Sequence, residues 1–185
     1  MANFVTNVII CREDLVSKIV DGDGNVDFGI LVPHPENKEE CIEKYGEEYL
    51  DGIDANGHSI KHLQHSNGDD WFDWYKWNCD FWGCKWNASD ADVNRRDGLV
   101  FIQFDTAWSP PMPWIAKLAK LGKPFILHWT EEQGFGEYKG YNGATELEGG
   151  FDIPEYTDDG EPIYDDEEDR DLPSNDTLNE FFGDK

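Results

Sequence analysis

A chain of 185 residues has room for one globular core of about 100 to 150 residues plus extensions. Forty acidic residues against fifteen basic ones give a formal net charge of -25, which excludes long-range attraction to nucleic acid or to an anionic membrane and favours a basic partner or solubility. Apolar content of 38% with 14% aromatic residues excludes disorder throughout.

Along the chain, residues 3–11 alternate Phe4, Thr6, Val8, Ile10 against Val5, Asn7, Ile9, a β-branched run that predicts a strand. Leu15, Val16, Ile19 and Val20 recur at helical spacing over about 12–20, and the turn sequence DGDGN stops that helix. Residues 26–32 then read as a second strand ended by Pro33, closing a first β-α-β unit. A charged amphipathic helix is expected over 36–50, followed by a polar linker and by the run DDWFDWYKWNCDFWGCKWNAS.

That run holds Trp71, Trp74, Trp77, Trp82 and Trp86. Trp71, Trp74, Trp77 and Phe81 step by three or four, so a helix with an aromatic side is expected, with Asp70 and Asp73 at its start and Gly83 as its C-terminal cap. Such a stripe is either the anchor of a core or an exposed platform for sugars or bases. Stacked bases call for interleaved cations, and only Lys76 and Lys85 stand there among acidic residues.

Residues 85–93 read as a further strand, turning at 94–98 into the apolar run 99–105, a central strand. Ser109-Pro110-Pro111 predicts a helix start with a serine cap, Trp114, Leu118 and Leu121 its core face, and Gly122 its end. Residues 125–130 form the next strand, with Phe125, Leu127 and Trp129 inward, and 135–141 a last one after breaks at Gly134 and Gly136. The result is an α+β, ferredoxin-like split β-α-β sandwich over 1–142, with both helices on one sheet face, a helical insertion at about 35–83 and an acidic extension over 143–185.

The NFVTN strand, the WGCKWNA turn (82–88), the FDTAWSPP element (104–111) and EEQGFGEYKG (131–140) resemble the YubB ferredoxin-like family of phage and conjugative-plasmid proteins. The resemblance covers about residues 1–142. It implies the fold and an accessory role in a mobile genetic element, and no reaction, cofactor or catalytic residue.

Three constellations carry candidate chemistry. His58, His62 and His65 precede Cys79 and Cys84, a donor set for zinc without the Cys-x-x-Cys spacing of structural sites. Asp105 ends the central strand and His128 sits on a neighbouring one, an acid-base pair if they meet; capping of the following helix by Asp105 and Ser109 is the alternative. No Ser-His-Asp order, phosphate loop or paired carboxylates stand in the chain. No metal or cofactor is therefore expected, and the protein reads as a non-catalytic binder, with a small hydrolase or a virion-associated structural protein as alternatives.

The extension 151–185 carries fourteen acidic residues against Arg170 and Lys185. Asp158, Asp159, Asp165, Asp166, Glu167, Glu168, Asp169 and Asp171 are expected to contact a host protein with a basic groove, imitating duplex phosphates in a nuclease or other nucleic-acid-handling defence complex, unless they serve only as a solubilising tail. Leu178, Phe181 and Phe182 form an apolar face of a short helix begun at Ser174 or Asn175, suited to docking in a partner's groove or back on the domain. Leu-x-x-Phe-Phe also resembles a sliding-clamp docking peptide, with Asn175 in place of the usual Gln. With no 18-residue apolar run, no basic leader at the start and four cysteines, a cytoplasmic location is expected.

Overall fold

The computed structural model describes residues 3–50, 71–131, 134–141, 144–150, 155–156, 162–163 and 172–183. Six strands, β1 (Phe4–Cys11), β2 (Ser89–Arg96), β3 (Leu99–Ala107), β4 (Phe125–Glu131), β5 (Gly134–Tyr141) and β6 (Ala144–Gly150), pair antiparallel in the order β2-β3-β1-β4-β5-β6. β3 lies between β1 and β2, and β1 lies between β3 and β4. Two crossovers therefore interleave, β1 to β2 and β3 to β4, which is the ferredoxin-like α+β arrangement. Two short strands, β7 (Glu155–Tyr156) and β8 (Pro162–Ile163), pair separately.

Residues 26–32 are not a strand. Val26 makes one bridge to Val20, and Phe28–Ile30 is a turn of 3-10 helix, because the Asp27 side chain accepts the Gly29 N–H and the Phe28 N–H goes to Asn87 Oδ1. The alternating apolar residues were misleading because all of Val26, Phe28 and Val32 are buried without a neighbouring strand. The strand that completes the first crossover is β2, so the helical elements between β1 and β2 belong to the crossover itself.

Those elements are shorter than the periodicity suggests. α1 spans Glu13–Val16, and α2 spans Lys38–Lys44, ended by Gly46 at φ +105 before a 3-10 turn at Glu47–Tyr49. α3 (Trp74–Phe81) starts at Asp73, whose carboxylate accepts the Lys76 N–H, and ends as expected at Gly83, in the left-handed region at φ +89 with its N–H on Asn78 O. α4 (Met112–Ala119) follows Pro111 without a side-chain cap; Ser109 bonds elsewhere.

The sheet buries one face under α1, α3 and α4. That core contains Ile9, Ile102, Phe104, Leu127, Trp77, Trp82 and Trp114. Phe28 stands at its centre, with Trp114, Trp82 and Phe104 ring centroids 5.0, 5.7 and 5.9 Å away. Gly136 is no break: it pairs with Trp129 inside β5, and a Cβ there would lie 2.0 Å from the indole, just as a Cβ on Gly140 would strike Phe125. Two glycines thus let two large rings lie across the β4–β5 pair.

Part of the opposite face is covered by α5 (Asn175–Phe182). Ser174 caps it as expected, Leu178 and Phe182 are buried against Val8, Ile10, Phe101 and Ile126, and the Arg12 guanidinium donates to the Phe182 carbonyl at its C-terminus. The boundary drawn at 142 falls between β5 and β6, and β6 continues the sheet to Gly150.

Candidate functional site

The five tryptophans of the aromatic run take different roles. Trp77 and Trp82 are buried, Trp71 and Trp74 pack partly covered against the core, and Trp86 projects from the turn after α3, 43% exposed. Trp108, 45% exposed, projects from the turn between β3 and α4. Both turns belong to the two tryptophan motifs singled out in the sequence, and the fold brings them together.

A chain of hydrogen bonds holds them. Asn7, buried in β1, donates through Nδ2 to Thr106 Oγ1 at 2.9 Å; that hydroxyl donates to Ser109 O at 2.7 Å, and Ser109 Oγ donates to Gly83 O at 2.6 Å. Beyond Gly83 the turn is pinned again, with Asn78 Nδ2 donating to Lys85 O at 2.9 Å and Cys84 Sγ to Trp86 O at 3.3 Å. Asn87 ties its end to Asp27 and Phe28. A Cβ on Gly83 would meet Pro113 Cδ at 2.4 Å, so only glycine allows this approach of the two turns. Gly83→Ala is expected to cost about 1–3 kcal/mol, read as a lower urea midpoint.

Trp108 has φ +74, a left-handed conformation that a bulky residue adopts only where its surroundings impose it. Its N–H donates to Asn3 O at 2.8 Å. Between the exposed rings lies Lys85, its Nζ 4.4 Å from the Trp86 centroid, 5.2 Å from Trp108 and 5.7 Å from Tyr75 of α3. Tyr75 meets Trp108 edge to face at 6.2 Å. Three aromatic rings and one ammonium thus form a surface patch on rigid supports, and exposed Trp and Tyr are the residues enriched in contact hot spots.

The catalytic alternative gains no geometry. Asp105 lies opposite Thr6 and His128 opposite Val8 on the two sides of β1, which separates their Cα atoms by ~12 Å from strand spacing. Asp105 accepts from Thr6 Oγ1 instead, at 2.9 Å, and caps no helix. Among the described residues no three His, Cys, Asp or Glu side chains converge as a metal site; His58, His62 and His65 lie outside them. Asp158, Asp159, Asp165, Asp166, Glu167, Glu168, Asp169 and Asp171 also lie outside the described residues. Leu178 and Phe182 face the sheet and Phe181 is partly buried beside them, so docking of these side chains on a partner or clamp requires α5 to leave the sheet.

All four cysteines are free. Burial, reinforced by Asp14 and Glu13, pushes the Cys11 thiol up to about 12, and burial beside Cys79 does the same to Cys84, each from 9. Each thiol keeps its proton in the folded chain where the unfolded chain has lost it. Stability should therefore fall as pH rises from 9 toward 12, on the order of 1.4 kcal/mol per unit for each thiol. Urea midpoints at pH 8 and pH 10.5 check this, and alkylation at pH 8 should reach partly exposed Cys79 before buried Cys11 or Cys84.

The sequence pattern of the family described as "Ferredoxin-like domain in Api92-like protein" matches residues 81–173, just over half of the chain. The chain belongs to that family. The matched span runs from the end of α3 past β8 and contains both Trp86 and Trp108, while β1, the central partner of β3 and β4, lies before it. No curated protein and no solved structure matches the chain. Among the described residues no helix is long and apolar enough to cross a membrane.

Sequence reasoning placed Trp86 in the WGCKWNA turn, at the start of the strand expected over 85–93, and Trp108 in the FDTAWSPP element. It missed their convergence on Lys85. The signal was present in the repeated pairing of tryptophan with a turn residue, Gly83 before Trp86 and Ser109 after Trp108, but only the Ser109–Gly83 bond and the packing of Gly83 on Pro113 place the two turns side by side.

Proposed function

We propose that this family member acts without catalysis, by binding a basic host protein through the Trp86–Trp108 surface and its acidic charge. The observation that carries the reading is the pair of half-exposed tryptophans, one of them held at φ +74, on turns fixed by partly buried hydrogen bonds. A strained, exposed, rigidly supported aromatic has no role in the core, and large aromatics at the centre of a contact contribute most of its affinity. The net charge of -25 selects the partner's sign and speeds encounter.

The wider setting follows from the sequence resemblance: an accessory protein of a phage or conjugative plasmid, acting in the host cytoplasm as an inhibitor in counter-defence. Its target would be a nuclease or other nucleic-acid-handling complex, and the carboxylates of 158–171 would act as a DNA mimic in its groove. Capture from host lysate on the full chain tests this. A basic nucleic-acid-handling protein is expected to be retained at low salt and released at high salt, because exposed charge pairs are screened over about a Debye length. Retention of no such protein at low salt would remove the proposal.

A further inference from the structure

We propose that Tyr75, Trp86 and Trp108 form an aromatic cage for an arginine side chain of the partner, and that Lys85 is a resident occupant which that arginine displaces. The inference rests on the binding reading above and names the chemistry of its contact.

Three ring centroids lie 4.4, 5.2 and 5.7 Å from one ammonium, all within the range in which a ring's quadrupole attracts a cation. The cation now there comes from the same chain and, unlike five of its fellows, is not held by a carboxylate; Arg96 likewise lies over a ring, that of Phe101. Lys44, Lys76, Arg95, Lys123 and Lys139 each pair with a carboxylate, on Glu40, Asp80, Glu13, Asp14 and Glu137. Lys85 has no carboxylate partner among the described residues; its environment is aromatic.

The walls are fixed and the occupant is not. Tyr75 is mounted on α3, Trp108 on a backbone tied to Asn3, and Trp86 on a turn pinned at Gly83, Lys85 O and Trp86 O. The lysine reaches the cage on four rotatable methylenes, so it can leave without moving the rings. An arginine is the better ligand for such a cage, since guanidinium is planar, stacks on ring faces and is more weakly hydrated than ammonium. A chain of net charge -25 draws cationic rather than anionic groups to its surface. Occupancy by Lys85 lowers the apparent affinity for arginine by the fraction of time the cage is filled.

The test titrates N-acetylarginine amide into the full chain and follows the indole N–H resonances, with no partner protein present. Lys85→Ala is expected to bind the probe at least about tenfold more tightly than wild type, and Lys85→Ala combined with Trp108→Ala to lose that gain. Equal binding by Lys85→Ala and wild type would overturn the proposal. So would tighter binding of N-acetylglutamate amide to wild type than to Lys85→Ala, which would make Lys85 an anchor for anions. Near-UV circular dichroism of each variant separates loss of the cage from loss of fold. Because the probe is a small molecule, failure here leaves the lysate capture unaffected, and failure of the capture leaves the cage result standing.

Discussion

Replacing Trp114 with alanine is expected to cost about 3–5 kcal/mol, a large share of the 5–15 kcal/mol typical of a single domain. The side chain is fully buried, packs 5.0 Å from Phe28, and donates its indole N–H to Phe28 O at 3.1 Å. Alanine leaves a cavity at the junction of α4, the sheet and the 3-10 turn, and takes one donor from that carbonyl, which keeps the Val32 N–H at 2.9 Å. Phenylalanine separates the two losses. Trp114→Phe keeps most of the volume but forfeits the hydrogen bond, as does Trp82→Phe, whose indole donates to Val32 O at 2.9 Å. Trp77 is equally buried, yet its Nε1 has no partner among the described residues. Trp77→Phe should therefore cost about 1 kcal/mol less than Trp114→Phe, because it removes a buried donor that is already unsatisfied. Urea denaturation of the full chain, with the slope unchanged, checks the order.

At the surface the expected effects reverse. Trp108→Gly should stay within about 1 kcal/mol of wild type, since relief of the left-handed backbone offsets the lost packing of a half-exposed ring. Trp108→Ala keeps the strain and loses the packing, so it should be about 1 kcal/mol less stable than Trp108→Gly, the opposite of the usual order of these two residues. Binding should respond in the other sense. Trp86→Ala or Trp108→Ala is expected to weaken the partner complex by about 2–4 kcal/mol, the cost of truncating an aromatic hot spot, while the fold persists. A residue that matters little to stability and greatly to affinity belongs to a contact surface. Paired urea and binding measurements on each variant decide it.

Much of the sheet was legible because its strands carry strong local signals. The alternation of residues 3–11 and the apolar run from Leu99 place β1 and β3, and β4 and β5 lie where the pattern put them. β2 is the weak case: an edge strand of exposed polar residues with a register shift between Ser89 and Asp92 and Asp90 at φ 50, it was drawn four residues early. Residues 26–32 show the converse error. Their periodicity was that of a strand, but Asp27 turned the backbone and Phe28 was needed as the hub of an aromatic cluster.

The site was less legible than the fold. Helical spacing assigned Trp77 to the core correctly, and the Gly83 cap ends the helix before Trp86, but nothing local shows that Trp86, nine residues on, stays half exposed. What separates them is the left-handed glycine between, which turns the chain out of the helix, and the Ser109 bond that fixes where it goes. The positive φ of Trp108 is likewise invisible in sequence, since tryptophan is a residue that avoids it.

The most direct test of the account is capture from host lysate with the full chain and with the Trp86→Ala, Trp108→Ala double variant, matched for folding by near-UV circular dichroism. Wild type should retain a basic nucleic-acid-handling protein at low salt that the double variant loses. Equal retention by both would show that the aromatic surface is not the contact.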